Sequence, residues 1–143
     1  MKVKVLTVVA LVSLISIVYH IYTGKVNQVQ VTIGESNKFT DEEINEAVVA
    51  VKKKFHAFQG CTLTELWYSE EESNERVIDY LNYGTETPNE IKEDNIIVLL
   101  SNFDVNSSGG DGSFEPNSTQ TKWQWILIRD SATDKWRVED WGY

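Results

Sequence analysis

The stretch from Asp104 to Glu115 has the side chains and the spacing of a calcium-binding loop. Counted from Asp104, oxygen-bearing side chains fall at positions 1, 3 and 5, a glycine at position 6 and a glutamate at position 12. In such loops hard oxygen ligands surround the ion and the glutamate closes the site. The candidate calcium ligands are Asp104, Asn106, Ser108, Asp111 and Glu115. A plain, flexible connection is the favoured interpretation of this loop, because Asp111 stands where the calcium pattern is normally apolar and the flanking segments are typical of strands. At about 15 residues the connection is long for a hairpin, and loops of that length are usually either functional or mobile.

The five tryptophans are the second group of candidate functional residues. Ligand pockets are lined mainly by apolar and aromatic side chains, but large aromatic side chains also fill the cores of small domains. Trp123 and Trp125 belong to a segment that alternates like a strand, so their side chains lie on one face. We expect core packing for most of the tryptophans, and the candidate residues of an aromatic ligand pocket are Trp67, Trp123, Trp125 and Trp141.

Residues suited to acid–base catalysis are few. His20 falls in the apolar N-terminal segment and His56 lies beside the apolar stripe of a predicted helix, so the sequence offers no histidine pair for a metal. Asp104, Asp140 and Glu65 stand near aromatic residues, but nothing in the sequence pairs them with a partner. The catalytic residues, if there are any, are therefore not identified by the sequence.

Cys61 is the single cysteine, so it cannot form an internal disulfide or a zinc site by itself. We expect a buried thiol that behaves as a small apolar side chain. A reactive thiol, or one that links two copies of the chain, is the alternative.

Length and charge restrict the class of protein. The chain has 143 residues, enough for one domain, and its 13 basic and 22 acidic residues give a net charge of −9. Binding to nucleic acid through phosphate contacts needs a basic surface, so nucleic acid is not an expected partner.

Residues 1–24 predict a membrane anchor. Lys2 and Lys4 precede an uncharged stretch from Val5 to Gly24. About 20 helical residues span roughly 30 Å, the hydrocarbon thickness of a bilayer. We expect an uncleaved signal-anchor helix that crosses the cell membrane once, with the acidic domain outside the cytoplasm. Secretion after signal cleavage and a cytosolic protein with a buried N-terminal helix are the alternatives.

Helices dominate the first half of the remaining chain. Residues 25–38 predict a linker or a weak edge strand, and residues 39–143 an extracytoplasmic domain. Thr40 and Glu43 have the spacing of a capping box before an apolar stripe, and Gly60 gives a stop signal. Ser69 begins a second capping box, and Gly84 ends that helix. Pro88 and Asn89 predict a loop.

Strands dominate the second half. The β-branched and leucine run at 96–100 predicts a buried strand, 121–129 an alternating strand, and 136–141 a third strand after a turn. The predicted fold class is α+β, with an N-terminal transmembrane helix followed by helices packed on one face of a curved antiparallel sheet.

The end of the chain, with Trp123 and Trp125 in one segment and Trp136, Val138 and Trp141 in the next, carries a resemblance to a known fold, together with the segments 58–68 and 99–105. This ending resembles the last hairpin of the cone-shaped fold shared by nuclear transport factor two, ketosteroid isomerase and polyketide cyclases. The chain is also similar to small exported proteins of Gram-positive bacteria that carry such a domain, of unknown function. The resemblance covers residues 39–143 and rests on the segments 58–68, 99–105 and 123–143. It implies a concave aromatic cone, but the catalytic residues of ketosteroid isomerases do not map onto this sequence.

These observations favour a membrane-anchored, non-catalytic domain that binds a small ligand or another envelope protein. An isomerase- or cyclase-like enzyme of the cone fold is the first alternative. The second is a structural interaction module whose loop at 104–115 is stabilised by calcium.

Overall fold

The computed structural model describes residues 2–84 and 91–143, with side chains described for 7–17, 23–84 and 91–143. The predicted loop at Pro88 and Asn89 lies outside these residues. Over these residues the protein is an α+β domain with three α-helices and one five-stranded sheet. The elements in chain order are α1 (Lys2–Tyr22), β1 (Gln30–Ile33), α2 (Asp41–Phe55), β2 (Cys61–Tyr68), α3 (Glu70–Tyr83), a 3-10 turn (Glu93–Asn95), β3 (Ile96–Val105), β4 (Thr119–Ile128) and β5 (Arg137–Gly142).

The strands lie in the sheet in chain order, from β1 to β5. β2 to β5 form an antiparallel meander, as the sequence predicts, whereas β1 pairs parallel to β2. Parallel neighbours need a crossover connection, and α2 provides it between β1 and β2. The segment 25–38 therefore contains the edge strand that the sequence left as one of two alternatives.

The prediction that the helices pack on one face of the sheet is wrong, because α2 and α3 cover opposite faces. Residues of α2 are buried with Leu99, Trp125 and Leu127, whereas α3 is buried through Val77 and Tyr80 with the alternate residues of β3 and β4. The side chains of successive strand residues point to opposite faces, and both faces of β3 and β4 are apolar. A sheet with two apolar faces needs a helix on each.

The predicted capping box of α2 is confirmed, and it is tied to the sheet. Thr40 Oγ1 accepts from the Glu43 backbone N–H, and Glu43 Oε2 accepts from the Thr40 backbone N–H at 2.8 Å. The other Glu43 oxygen accepts from Arg129 Nη1 at 2.7 Å. Arg129 is buried between the rings of Phe39 and Trp136, with its guanidinium carbon 5.8 Å and 4.3 Å from the two ring centroids. The start of α2 is therefore fixed by an ion pair to the last residue before the β4–β5 turn.

The first turn of α3 differs from the predicted capping box. Ser69 caps the helix by accepting from the Glu72 backbone N–H, but the Glu72 side chain accepts from Trp67 Nε1 at 2.9 Å. The side chain of Glu70 points the other way and holds the chain between β1 and α2. Its Oε2 accepts from Ser36 Oγ at 2.5 Å and from the backbone N–H of Asn37 at 2.8 Å.

Helix α1 carries exposed apolar side chains, from Val8 to Ile17. Within the described part of the chain, no helix meets the combined length and apolarity required to cross a bilayer. The transmembrane character predicted for residues 1–24 has no support from the structure.

Candidate functional site

A groove of about 330 Å³ opens at the end of the sheet where the long β3–β4 loop meets the end of α2. Four separate parts of the chain form it: the end of α2 with the segment that follows it, the loop, β4 and β5. Its lining residues include four aromatic side chains and two charged ones, Phe58, Phe114, Trp123, Trp141, Lys54 and Asp111. Ala57, Gln59 and Ser113 complete the lining.

The aromatic side chains that line the groove pack against one another. Phe58 stacks on Phe114 with ring centroids 6.2 Å apart and meets Trp141 edge-on at 6.4 Å. Trp123 meets Phe114 edge-on at 5.7 Å and Tyr143 at 5.1 Å. Offset and edge-to-face pairs are the favoured arrangements of aromatic rings. The groove is thus lined by rings that hold one another in place.

The β3–β4 loop (residues 106–118) is folded back onto the domain. The Asn106 backbone N–H donates to Gly60 O at 2.9 Å, and the Phe114 backbone N–H donates to Gly109 O at 3.3 Å. Gly109 and Gly110 both have a φ of +70°, a conformation that favours glycine, and a Cβ at Gly109 would lie 2.7 Å from Phe114 O. These turns bring the Phe114 ring onto Phe58 and Phe103, so the loop supplies one wall of the groove.

The two charged groups of the groove are Lys54 and Asp111. Lys54 Nζ lies 4.2 Å from the centroid of the Trp141 ring, within the range of a cation–π contact. Hydrogen bonds from the Ser113 side chain and backbone hold the pKa of Asp111 below its ordinary value, so this carboxyl group is ionised at neutral pH.

The candidate calcium ligands make hydrogen bonds within the loop and at its ends. Asp104 Oδ1 accepts from Thr119 Oγ1 at 2.7 Å, and Asp111 Oδ1 accepts from the Ser113 backbone N–H at 3.0 Å. Asn106 Oδ1 accepts from both the backbone N–H and the hydroxyl of Ser108. Among the residues that the structure describes, no three His, Cys, Asp or Glu side chains are grouped as a metal site would need. The calcium site stays a prediction, and Glu115 and Asp104 remain candidate ligands only by spacing.

The structure brings together two of the four predicted pocket tryptophans, Trp123 and Trp141. Trp125 is fully buried behind them, and its Nε1 donates to Ser101 Oγ at 2.8 Å. Trp67 lies on the other face of the sheet, beside a separate pocket of about 370 Å³ that includes Thr32 and Glu65. Trp125 therefore belongs to the core, and Trp67 is separated from the groove by the sheet.

The sequence does not identify Lys54, Phe58 or Phe114 as residues of a groove. Phe58 lies just after the end of α2. Phe114 stands in a loop rich in glycine and serine, and Lys54 is one of three lysines in the last turn of α2, where a positive charge favours the helix end. A lone phenylalanine in such a polar loop indicates that its ring packs against the domain, because an exposed ring would forgo the stabilisation that burial provides. This is the signal that could have identified Phe114.

Cys61 and His56 lie behind the loop, outside the groove. Cys61 is buried, as expected, and burial with the nearby Asp111 charge raises the pKa of its thiol to about 11. His56 Nδ1 is 3.0 Å from Gly24 O, so the ring joins the segment before β1 to the end of α2. Neither group is placed to act on a molecule in the groove.

The chain belongs to the family described as domain of unknown function DUF4829, whose family model matches residues 44–142. The match includes α2 from Ile44 onward, all the strands from β2 to β5 and every residue of the groove. No curated protein matches the chain. No solved structure matches it either.

Proposed function

We propose that this domain is a non-catalytic binding domain that holds a small ligand with a flat apolar body in the groove beside Trp123 and Trp141. The observation that carries the proposal is an open groove of about 330 Å³ walled by four aromatic side chains. This volume falls at the lower end of the usual range for small-molecule sites, roughly 300–1,000 Å³. A ring or fused ring is the ligand shape that the flat walls accommodate.

Two features favour binding over the isomerase- or cyclase-like alternative. An enzyme of the cone type would need an acid or base facing an internal apolar cavity. Here the space between α2 and the sheet is filled by buried side chains such as Phe55, Phe103 and Trp125. Asp111 is ionised and solvent-facing at neutral pH, which makes it a weak proton donor or acceptor.

The proposal is tested with 3-(2-hydroxyethyl)indole, a neutral fused-ring alcohol, titrated into the 15N-labelled full chain. For about 12 non-hydrogen atoms at roughly 0.3 kcal/mol each, the expected dissociation constant is on the order of millimolar or tighter. The indole N–H signals of Trp123 and Trp141 should shift together and saturate. Replacement Trp141→Ala should weaken binding at least about threefold, because it removes one aromatic wall.

The matched control is Tyr83→Ala, which removes an exposed aromatic side chain from α3 on the other face of the sheet. It should leave the affinity unchanged. Saturable shifts that are absent at both groove tryptophans, or equal weakening by the two variants, would contradict the proposal.

We also propose that residues 1–24 hold this domain at the outer side of the cell membrane. The support is the arrangement of Lys2 and Lys4 before the uncharged stretch that follows them. N-terminal sequencing of the protein from membrane and culture fractions tests this. An intact N-terminus in the membrane fraction is the expected result, and a start after residue 20 would mean cleavage instead.

A further inference from the structure

The groove already contains a positively charged group resting on one of its aromatic walls. Lys54 Nζ lies 4.2 Å from the Trp141 ring centroid, and Trp141 is itself 39% exposed. The negative face of an indole ring attracts an ammonium at this distance. The side chain of Lys54 has several rotatable bonds, so it can leave the ring without any change in the backbone.

A negative charge lies in the same groove. Asp111 lines it from the loop, with its Oδ1 fixed by the Ser113 backbone N–H at 3.0 Å. Lys54 is the only basic side chain among the described residues that line the groove. With Lys54 turned away, an aromatic wall and a carboxylate remain, which is the combination that recognises an organic ammonium.

The charge of the whole chain acts in the same direction. The net charge of −9 raises the local concentration of cations and opposes the approach of anions.

We propose that the ligand of the groove is a small organic amine with a flat apolar body, whose ammonium replaces that of Lys54 on the Trp141 ring and pairs with Asp111. This inference rests on the proposed function and names the chemical class of its ligand. Lys54 is then an internal competitor, which occupies the cation position in the free protein and is displaced on binding.

Three probes with one indole ring and different charges test the inference on the full chain at pH 7. They are 3-(2-aminoethyl)indole, which is a cation below about pH 10, the neutral 3-(2-hydroxyethyl)indole, and indole-3-acetate, an anion. A cation–π contact and an exposed ion pair each contribute roughly a 2- to 5-fold change in affinity. We expect the amine to bind about 3- to 10-fold more tightly than the alcohol, and the acetate to bind more weakly than both.

Two substitutions should change this order in opposite directions. Lys54→Met should tighten binding of the amine about 2- to 5-fold, because it removes the competitor and keeps the apolar stem. Its control is Lys53→Met, which makes the same change in net charge at an exposed position of α2 that does not line the groove. Asp111→Asn should remove most of the preference for the amine, and Glu115→Gln in the same loop is its control.

The affinity for the neutral alcohol reports whether each variant keeps an intact groove. If the alcohol binds in the groove and the amine binds no more tightly, or Lys54→Met weakens the amine, the inference is wrong and the proposed function stands. If none of the three probes shifts the signals of Trp123 and Trp141, the proposed function fails and this inference fails with it.

Discussion

We expect the loss of Glu43 and the loss of Arg129, the two partners of a buried ion pair, to lower the free energy of unfolding by unequal amounts. The Arg129 side chain is 6% exposed and the Glu43 side chain 27%, with 2.7 Å between Nη1 and Oε1. Removing one partner of a buried pair leaves an uncompensated charge, and this costs about 3–5 kcal/mol when both groups are fully buried. Since water reaches Glu43, we expect Glu43→Gln to lower the free energy of unfolding by about 2 kcal/mol.

The substitution Arg129→Met should cost less. Methionine keeps apolar contact with Phe39 and Trp136 and removes a buried charge whose Nε makes no hydrogen bond within the described residues. Glu43 would still cap α2 through the Thr40 backbone N–H. Because Glu43 keeps its capping hydrogen bond and its contact with water, the loss of Arg129 leaves no fully buried charge unpaired, so we expect a change within about 1 kcal/mol.

Urea unfolding of the full chain at pH 7, followed by tryptophan fluorescence, measures both changes. The double variant Glu43→Gln/Arg129→Met should be more stable than Glu43→Gln alone, because no buried charge is left without its partner. Two results would contradict this expectation: a loss of unfolding free energy for Arg129→Met as large as that for Glu43→Gln, or a loss for the double variant equal to the sum of the two single losses.

Acidification should weaken the same contact. Partial burial raises the pKa of Glu43, but the hydrogen bond from the Thr40 backbone N–H and the Arg129 guanidinium outweigh it and hold the pKa below the ordinary value of 4.5. The pair therefore stabilises the fold above about pH 4.5, and its contribution is lost as the pH falls through the lower pKa of the folded state.

Three further predictions concern single side chains. Hydrogen bonds from Ser36 and the backbone that follows it lower the pKa of Glu70 from its ordinary value of 4.5. Glu70→Gln should therefore lower the thermal unfolding midpoint at pH 7, and its difference from the parent protein should shrink below pH 4.5. The neighbouring Glu71→Gln is the control. Iodoacetamide should label Cys61 at pH 8 far more slowly in the folded chain than in urea, since a pKa of about 11 leaves roughly one thiol in a thousand ionised. Equal labelling rates would show that Cys61 is not buried. If the loop at 104–115 binds calcium, millimolar calcium should raise the unfolding midpoint relative to chelator, and an unmoved midpoint leaves it a connection.

Local elements of this fold could be predicted from the sequence because their causes are local. The capping box of α2 depends on residues three apart, Thr40 and Glu43, and the alternation of β4 places Trp125 and Ile126 on opposite faces. Each of these patterns is complete within one segment of the chain.

The arrangement of these elements could not be predicted in the same way. Val77 and Tyr80 identify the buried side of α3, but the sequence of this helix does not determine which face of the sheet it covers. The separation of Trp67 from Trp123 follows from the strand register, because Trp123 pairs with Ser101 and Ser101 pairs with Leu66, the neighbour of Trp67. A lone phenylalanine in a polar loop indicates a buried ring, but the contact of Phe114 with Phe58 depends on the two glycines that turn the loop back, and sequence spacing does not predict this turn.

The proposed function places the ligand in the aromatic groove and not in the pocket beside Trp67. Intermolecular nuclear Overhauser effects between 3-(2-hydroxyethyl)indole and the labelled full chain distinguish the two sites. We expect effects to the rings of Phe114 and Trp141, with none to Trp67 on the other face. Effects to Trp67 without any to the groove residues would contradict it.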